Sequence, residues 1–422
     1  MSKTKKTAKQ KWATFGRVIA IIVAVIALIA AVTAIANARV VSNAKGFISR
    51  INPVEYDEQL VPEERNGYTT FVTDNDLKVM QLTDVHIGGG FISAHKDTMA
   101  INAVAAMVAQ EKPDLVIVTG DIAYPVPFQA GTFNNKSGAV IFATLMERLG
   151  VYWAPAFGNH DTELYSYYSR DSIARLYSDR EQFPHCLFQA GPEDIYGSGN
   201  YVINAANKVG RITQSFIMMD SNSYTDNDYF GIKWKYDCIH ADQVQWYRDQ
   251  IENLKKVNQG MMPKSCLFFH IPLKEMQDAY FEYNDNGFEN TEDVEYMFGQ
   301  AKEHKLVVFS SSKNEGMFDA CKELGSTQAM FFGHDHLNNI SLKYKGIQMC
   351  YGNSVDYLAY SNIDKYGSQR GCTVITSHQN GEISIKQENY YQDKYTGIIE
   401  KETVSMDDYH DDAGQLVTEP AE

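Results

Sequence analysis

Five short runs of Asp, Asn and His carry the chemistry open to this chain. They are Asp84-Val85-His86, Gly120-Asp121, Gly158-Asn159-His160-Asp161, His270 and Gly333-His334-Asp335-His336. Carboxylate, amide and imidazole groups are hard or borderline metal donors, and no thiolate accompanies them, so the set suits Fe, Mn or Zn. In the last run two histidines at i and i+2 point the same way from an extended segment. Taken singly, each run has an ordinary reading as a turn, a helix cap or a hydrogen-bonded histidine. Their recurrence is what points to one metal-binding constellation.

The recurrence has a positional rule. Each run follows a short apolar segment of strand character: 77–82, 115–119, 151–157, 266–269 and 329–332. Ligand sites in open α/β sheets lie beyond the carboxyl ends of strands. Leu115–Thr119 (LVIVT) is apolar throughout, as expected of a strand covered on both faces. Helices are expected over 98–111, over 138–149 ending at Gly150, over 241–256 and near 314–324, with further strands at 201–203, 215–220 and 306–310. This alternation argues for stacked βαβ units. Residues 162–200 read as an irregular insertion with a helix, 274–297 as a long acidic and aromatic surface loop, and 338–388 as hairpins.

Composition narrows the classes. With 422 residues, 44% of them apolar, the chain can bury a sizeable core, and its formal charge of −15 makes it a poor electrostatic partner for nucleic acid, which is not expected to bind. None of the six cysteines forms a CxxC pair; Cys266 lies in an apolar run and reads as a buried thiol. Six basic residues (Lys3, Lys5, Lys6, Lys9, Lys11, Arg17) precede an uncharged stretch from Val18 to Ala36. As a helix that stretch would span about 28 Å, close to a bilayer's hydrocarbon core. Its length favours an uncleaved signal anchor, with the rest of the chain extracytoplasmic. A signal peptide cleaved near Ala36-Asn37-Ala38 is the alternative. The expected organisation is a basic segment 1–17, a transmembrane helix 18–36, a stalk 37–72, a catalytic domain 73–392 and an acidic, disordered tail 393–422.

The order D-x-H, G-D, G-N-H-D, a single His after an apolar strand, and G-H-x-H resembles the calcineurin-like metallophosphoesterases over roughly residues 75–380. FFHIPL, NEGMFDA at 314–320, GHDHLNN at 333–339 and CYGNSVDY at 350–357 look closest to the branch related to purple acid phosphatases. The resemblance implies an α/β sandwich of two mixed sheets flanked by helices, hydrolysing phosphate esters with monoesters preferred. It implies one metal ion on Asp84, His86, Asp121 and His336. A second would sit on Asp121, Asn159, His270 and His334, with Asp121 as the bridge. His160 would bind no metal and would protonate the leaving group. Physics agrees with that division: two close cations need an anionic bridge, the metals lower the pKa of a water between them, and a histidine can be poised near the working pH. A phosphodiesterase and a non-catalytic surface binding protein are the alternatives. Purple acid phosphatases use a Tyr ligand where GDIAYP here has Tyr124. With His86 also present, Tyr124 is expected to pack rather than to ligate. Asp161 or Asp335 is expected to orient a ligand histidine, and Asn353, Tyr357 and Tyr360 to line the pocket.

Overall fold

The computed structural model describes residues 7–404, apart from 226, 227, 229, 304–306, 361, 362 and 364–369. Fourteen strands among the described residues form two mixed sheets. The five-stranded sheet runs β14 (Ile383–Asn389), β13 (Gly371–Ser377), β3 (Leu77–Leu82), β4 (Leu115–Thr119), β5 (Trp153–Ala156). The nine-stranded sheet runs β1 (Glu63–Arg65), β2 (Tyr68–Val72), β6 (Tyr201–Ala206), β7 (Ile212–Met218), β8 (Lys264–Phe268), β10 (Thr327–Phe332), β12 (Ile347–Tyr351), β11 (Ser341–Tyr344), β9 (Val294–Phe298). Strands β3, β4 and β5 are parallel, as are β7, β8 and β10. All five ligand-bearing runs therefore leave their strands at one end of the sandwich.

The helices are α1 (Ala8–Ile48), α2 (Ala94–Glu111), α3 (Pro127–Ala130), α4 (Asn135–Leu149), α5 (Arg170–Tyr177), α6 (Ala241–Val257), α7 (Lys274–Asp285) and α8 (Met317–Leu324). Period-two alternation divides the central strands between two cores. Phe268 and Phe331 stack between the sheets, while neighbouring Leu267 and Met330 pack outward with residues of α6, α7 and α8. Helices α2 and α4 cover the other outer face. Both faces of the central strands are thus buried, which is why they read as unbroken apolar runs. All six cysteines are buried free thiols, Cys266 among them.

Four segments depart from expectation. Residues 37–72 are not a free stalk: α1 continues to Ile48, and Ala44, Phe47, Ile48 and Ile51 enter the main core. The segment 274–297 holds α7 and β9 instead of a loop. Met276, Ala279, Tyr280 and Tyr283 of α7 repeat at helical spacing and are buried, a stripe that the surrounding acidic residues obscure. Residues 307–310 form a bend with Val307 at φ 62°, not a strand; residue 306 lies outside the described residues. The segment 393–404 packs on the domain, with Tyr395 fully buried and Glu402 paired with Arg370. The expected tail beyond residue 404 lies outside the described residues.

Helix α1 begins with a capping box between Thr7 and Gln10 and is long and apolar enough to cross a membrane by length and composition. That is compatible with a signal anchor.

Candidate metal centre

The strand-end loops cross at close quarters. A Cβ on Gly158 would overlap the Asp121 carboxylate, and one on Gly333 would overlap Thr83 and Asp84. The glycines of G-N-H and G-H-D-H are therefore steric requirements of the crossing. Four of the predicted ligands take positive φ: Asp84 (51°), His86 (53°), Asp121 (53°) and His334 (78°). L-residues rarely adopt this conformation, and such strain concentrates at functional sites.

All eight predicted site residues meet at this end of the sandwich. Asp84, His86, Asp121 and His336 each offer one donor atom, and these atoms lie within 4.8 Å of one another. His86 Nε2 is 3.2 Å from Asp121 Oδ2, and His336 Nε2 is 3.3 Å from Asp84 Oδ1. On the other side of Asp121, His270 Nε2 is 3.1 Å from Asp121 Oδ2 and 3.1 Å from Asn159 Oδ1. The His334 ring centroid is 5.2 Å from that of His270, and its backbone N–H donates to Asp84 Oδ2 (3.0 Å).

Does this donor set fit metal ions? His270 Nδ1 donates to the Thr119 carbonyl (2.8 Å), which leaves a lone pair on Nε2 in the neutral ring. Nε2 faces two oxygen acceptors, so a positive charge belongs there, either a second proton on the ring or a metal ion. Asp84 Oδ1 and His334 Nδ1 are buried with no hydrogen-bond partner among the described residues. The titration behaviour agrees. Burial would raise the pKa of Asp121, but the charges of His270 and His160 and hydrogen bonds from His270 and His86 hold it well below the usual carboxylate range. Burial would likewise raise Asp84, which His336 brings down to about 2. His86 and His270 are pushed up to about 9: burial opposes this, but Asp356 outweighs it at His86 and Asp121 at His270. The site is built to hold positive charge, and the residues fit a dinuclear metal centre.

Around the ligands the structure corrects and extends the expectation. Neither Asp161 nor Asp335 touches a ligand imidazole. The Asp161 carboxylate accepts the backbone N–H groups of Asp121, Ala123 and Gly158 at 2.8–3.0 Å and so fixes the loops that carry Asp121 and Asn159. Asp335 accepts from the Phe309 amide and the Tyr351 hydroxyl. The orienting carboxylate is Asp356, which sequence reasoning missed. Its two oxygens lie 3.3 Å from His86 Nδ1 and 3.2 Å from His336 Nδ1, and they accept the backbone N–H groups of Leu358, Ala359 and Tyr360. A carboxylate between Val355 and Tyr357 could have raised suspicion, but no spacing links it to the candidate ligands. Glu163 was also missed: its Oε1 lies 2.6 Å from His160 Nδ1, three residues away.

A cleft of about 430 Å³ opens over the ligands, lined in part by His160, His334, His336, Tyr124, Tyr236 and Tyr360. Of the three expected pocket residues, only Tyr360 lines it. Asn353 is buried, and Tyr357 instead packs its ring 3.8 Å from the Arg370 guanidinium. Tyr124 stacks on His86 (4.8 Å) and donates its hydroxyl to Gln129 (2.8 Å), a packing role.

Residues 77–338 match the family model of the calcineurin-like phosphoesterases. Among curated proteins, the chain is 28% identical to the Arabidopsis thaliana "Probable inactive purple acid phosphatase 14" over 69% of this chain and 74% of that protein. It is 25% identical to "Probable inactive purple acid phosphatase 29" of the same plant, over 82% and 89%. Among solved structures it resembles a dimetal phosphatase from Danio rerio, with a TM-score of 0.49 and 13% identity, over 75% of this chain and 97% of that one. The matched model spans more than half of the sequence and includes every predicted ligand, so this chain belongs to the calcineurin-like phosphoesterase family, whose class is that of phosphoric ester hydrolases.

Proposed function

We propose that the protein hydrolyses phosphate esters, monoesters by preference, on the extracytoplasmic side of a membrane. The observation that carries this reading is the pairing of Asp121 with His86 on one side and His270 on the other, below a cleft that also exposes His160. Asp84, His86, Asp121 and His336 would hold one metal ion, and Asp121, Asn159, His270 and His334 the other. Two bound ions would supply Lewis-acid neutralisation of the ester oxygens and would lower the pKa of bound water.

The remaining work falls to the chain's own side chains. The Glu163 carboxylate accepts from His160 Nδ1 and so fixes the ring, leaving Nε2 as the proton-carrying atom for the departing alcohol oxygen. The His160 amide donates to Asp121 Oδ1 (2.8 Å), which locks the acid to the bridging carboxylate.

Asp121→Asn should lose metal content and turnover together, measured by elemental analysis and a chromogenic phosphate ester; full turnover in the purified variant would overturn the mechanism. Parallel assays of a monoester and a diester of one chromophore test the preference. The relatives' names contain "inactive", which favours a second reading, a non-catalytic surface protein on the same fold. Less than one ion per chain together with absent turnover would support it.

A further inference from the structure

One surface of the domain continues the apolar surface of α1. Helix α1 contacts the domain along a single stripe, partly buried at Thr33, Ala36, Asn37, Val40 and Val41 and buried at Ala44, Phe47 and Ile48. The stripe begins inside the apolar run Val18–Ala36. Asn37 fixes the register: its Oδ1 accepts the Phe91 amide (3.0 Å) and its Nδ2 donates to the Gly131 carbonyl (3.3 Å). Beyond that tie a cavity of about 630 Å³ separates helix and domain, with Ile26, Ile29 and Thr33 on one wall and Phe91, Phe133 and Tyr167 on the other. From Asn37 to Ile26 is about 16 Å along a helix axis. Domain loops therefore stand beside α1 at the level where α1 is fit only for lipid.

Those loops have the composition for that position. Phe128 is 90% exposed, Tyr167 69% and Leu164 62%, and Phe91 and Ile92 are about half exposed. Apolar residues this exposed, clustered on one face, mark an interaction surface, and aromatic rings favour the membrane–water interface. The same loops reach the cleft. Gln129, next to Phe128 in α3, accepts from the Tyr124 hydroxyl and donates to the Leu358 and Ala359 carbonyls (3.2 Å each), and Tyr124 and Ala359 line the cleft.

We propose that the face carrying Phe91, Ile92, Phe128, Leu164 and Tyr167 is seated in the bilayer interface beside α1, and that the cleft takes its phosphate ester from a membrane lipid. This rests on the reading of α1 as an anchor and of the cleft as a hydrolytic site. The cavity beside α1 is the place for a lipid acyl chain. Hydrolysis needs no further reactant: the water oxygen joins phosphorus as the ester P–O bond breaks, and the lipid alcohol leaves with a proton.

The experiment uses the full chain in nanodiscs of phosphatidylcholine containing either phosphatidic acid or phosphatidylglycerol. All six native cysteines are buried, so Phe128→Cys places one accessible thiol for a fluorophore, with Val209→Cys, 83% exposed on the turn between β6 and β7, as the control. Doxyl-labelled lipid should quench the label at 128 at least threefold more than the label at 209; equal quenching overturns the membrane face. In a second arm, Phe91→Ser/Phe128→Ser should hydrolyse a soluble chromogenic phosphate ester at the wild-type rate but lose tenfold or more on the lipid phosphate. Wild-type protein that turns over the soluble ester but neither lipid overturns the substrate class. Failure on every ester, with quenching retained, sinks the hydrolase reading and leaves the membrane face standing.

Discussion

Asp356 connects residue chemistry to metal affinity. Two of the candidate metal-ligand imidazoles, His86 and His336, each hold Nδ1 against this one carboxylate, so a single side chain bears on the orientation of both. Loss of such an orienting partner commonly weakens metal binding by about 10–100-fold. Asp356→Asn should therefore raise the dissociation constant of one ion by that factor in calorimetric titration, with the other ion little affected and the far-ultraviolet dichroism unchanged. His160 gives the opposite signature. It touches Asp121 through its backbone amide and Glu163 through its ring, and among the described residues its ring makes no hydrogen bond to a candidate ligand. His160→Ala should retain two ions per chain in elemental analysis while kcat falls by about 10²–10⁴-fold. The clustering of the candidate ligands was legible in the sequence because each lies within a few residues of an apolar strand. Asp356 and Glu163 were not, because a lone carboxylate acts through space and leaves no periodic trace.

At the scale of elements, the first ligand run is held by α2. Asp97, in the first turn of α2, accepts the amides of Gly88 and Gly89 (2.9 Å each) and the Ser93 hydroxyl, and so fixes the loop just after His86. Burial pushes its pKa up to about 6, partly offset by the Gly88, Ser93 and Gly89 hydrogen bonds. The folded value lies above the ordinary 3.8, so the fold favours the protonated form. This contribution is fully present below about pH 3.8 and is lost as pH rises through about 6. Asp97→Asn should flatten that part of the stability profile, read as melting temperature between pH 4 and 7. Elements whose apolar residues are continuous or regularly spaced, such as β4 and α6, were legible in the sequence because burial writes itself into their residue pattern. The acidic side chains of 274–297 hid the buried stripe of α7, and β9 is a sheet-edge strand with a mixed pattern of burial. The bend at 307–310 follows the positive φ of Val307, a conformation that β-branched composition argues against.

Over the whole molecule, the close of α1 and the last described residues are bound into the fold that carries the centre. The last turns of α1 enter the main core, and Glu402 reaches back to Arg370 (3.0 Å), whose Nε donates to the Asp356 carbonyl (2.8 Å). Arg370 is almost fully buried, so removing its partner leaves a charge with poor compensation, at a cost below the roughly 3–5 kcal/mol of a fully buried pair because Glu402 is itself a quarter exposed. Glu402→Ala should lower the melting temperature by several degrees, and a melting temperature equal to that of the wild type would show the pairing to be energetically idle. The six cysteines bear on what holds such a fold together. Burial raises the thiol pKa of every one of them, so thiolate, the form that attacks and oxidises, is scarce, and none is within a disulfide. The sandwich is therefore held by packing and hydrogen bonding without a covalent cross-link, and its six buried thiols present little thiolate to oxidants arriving from solvent.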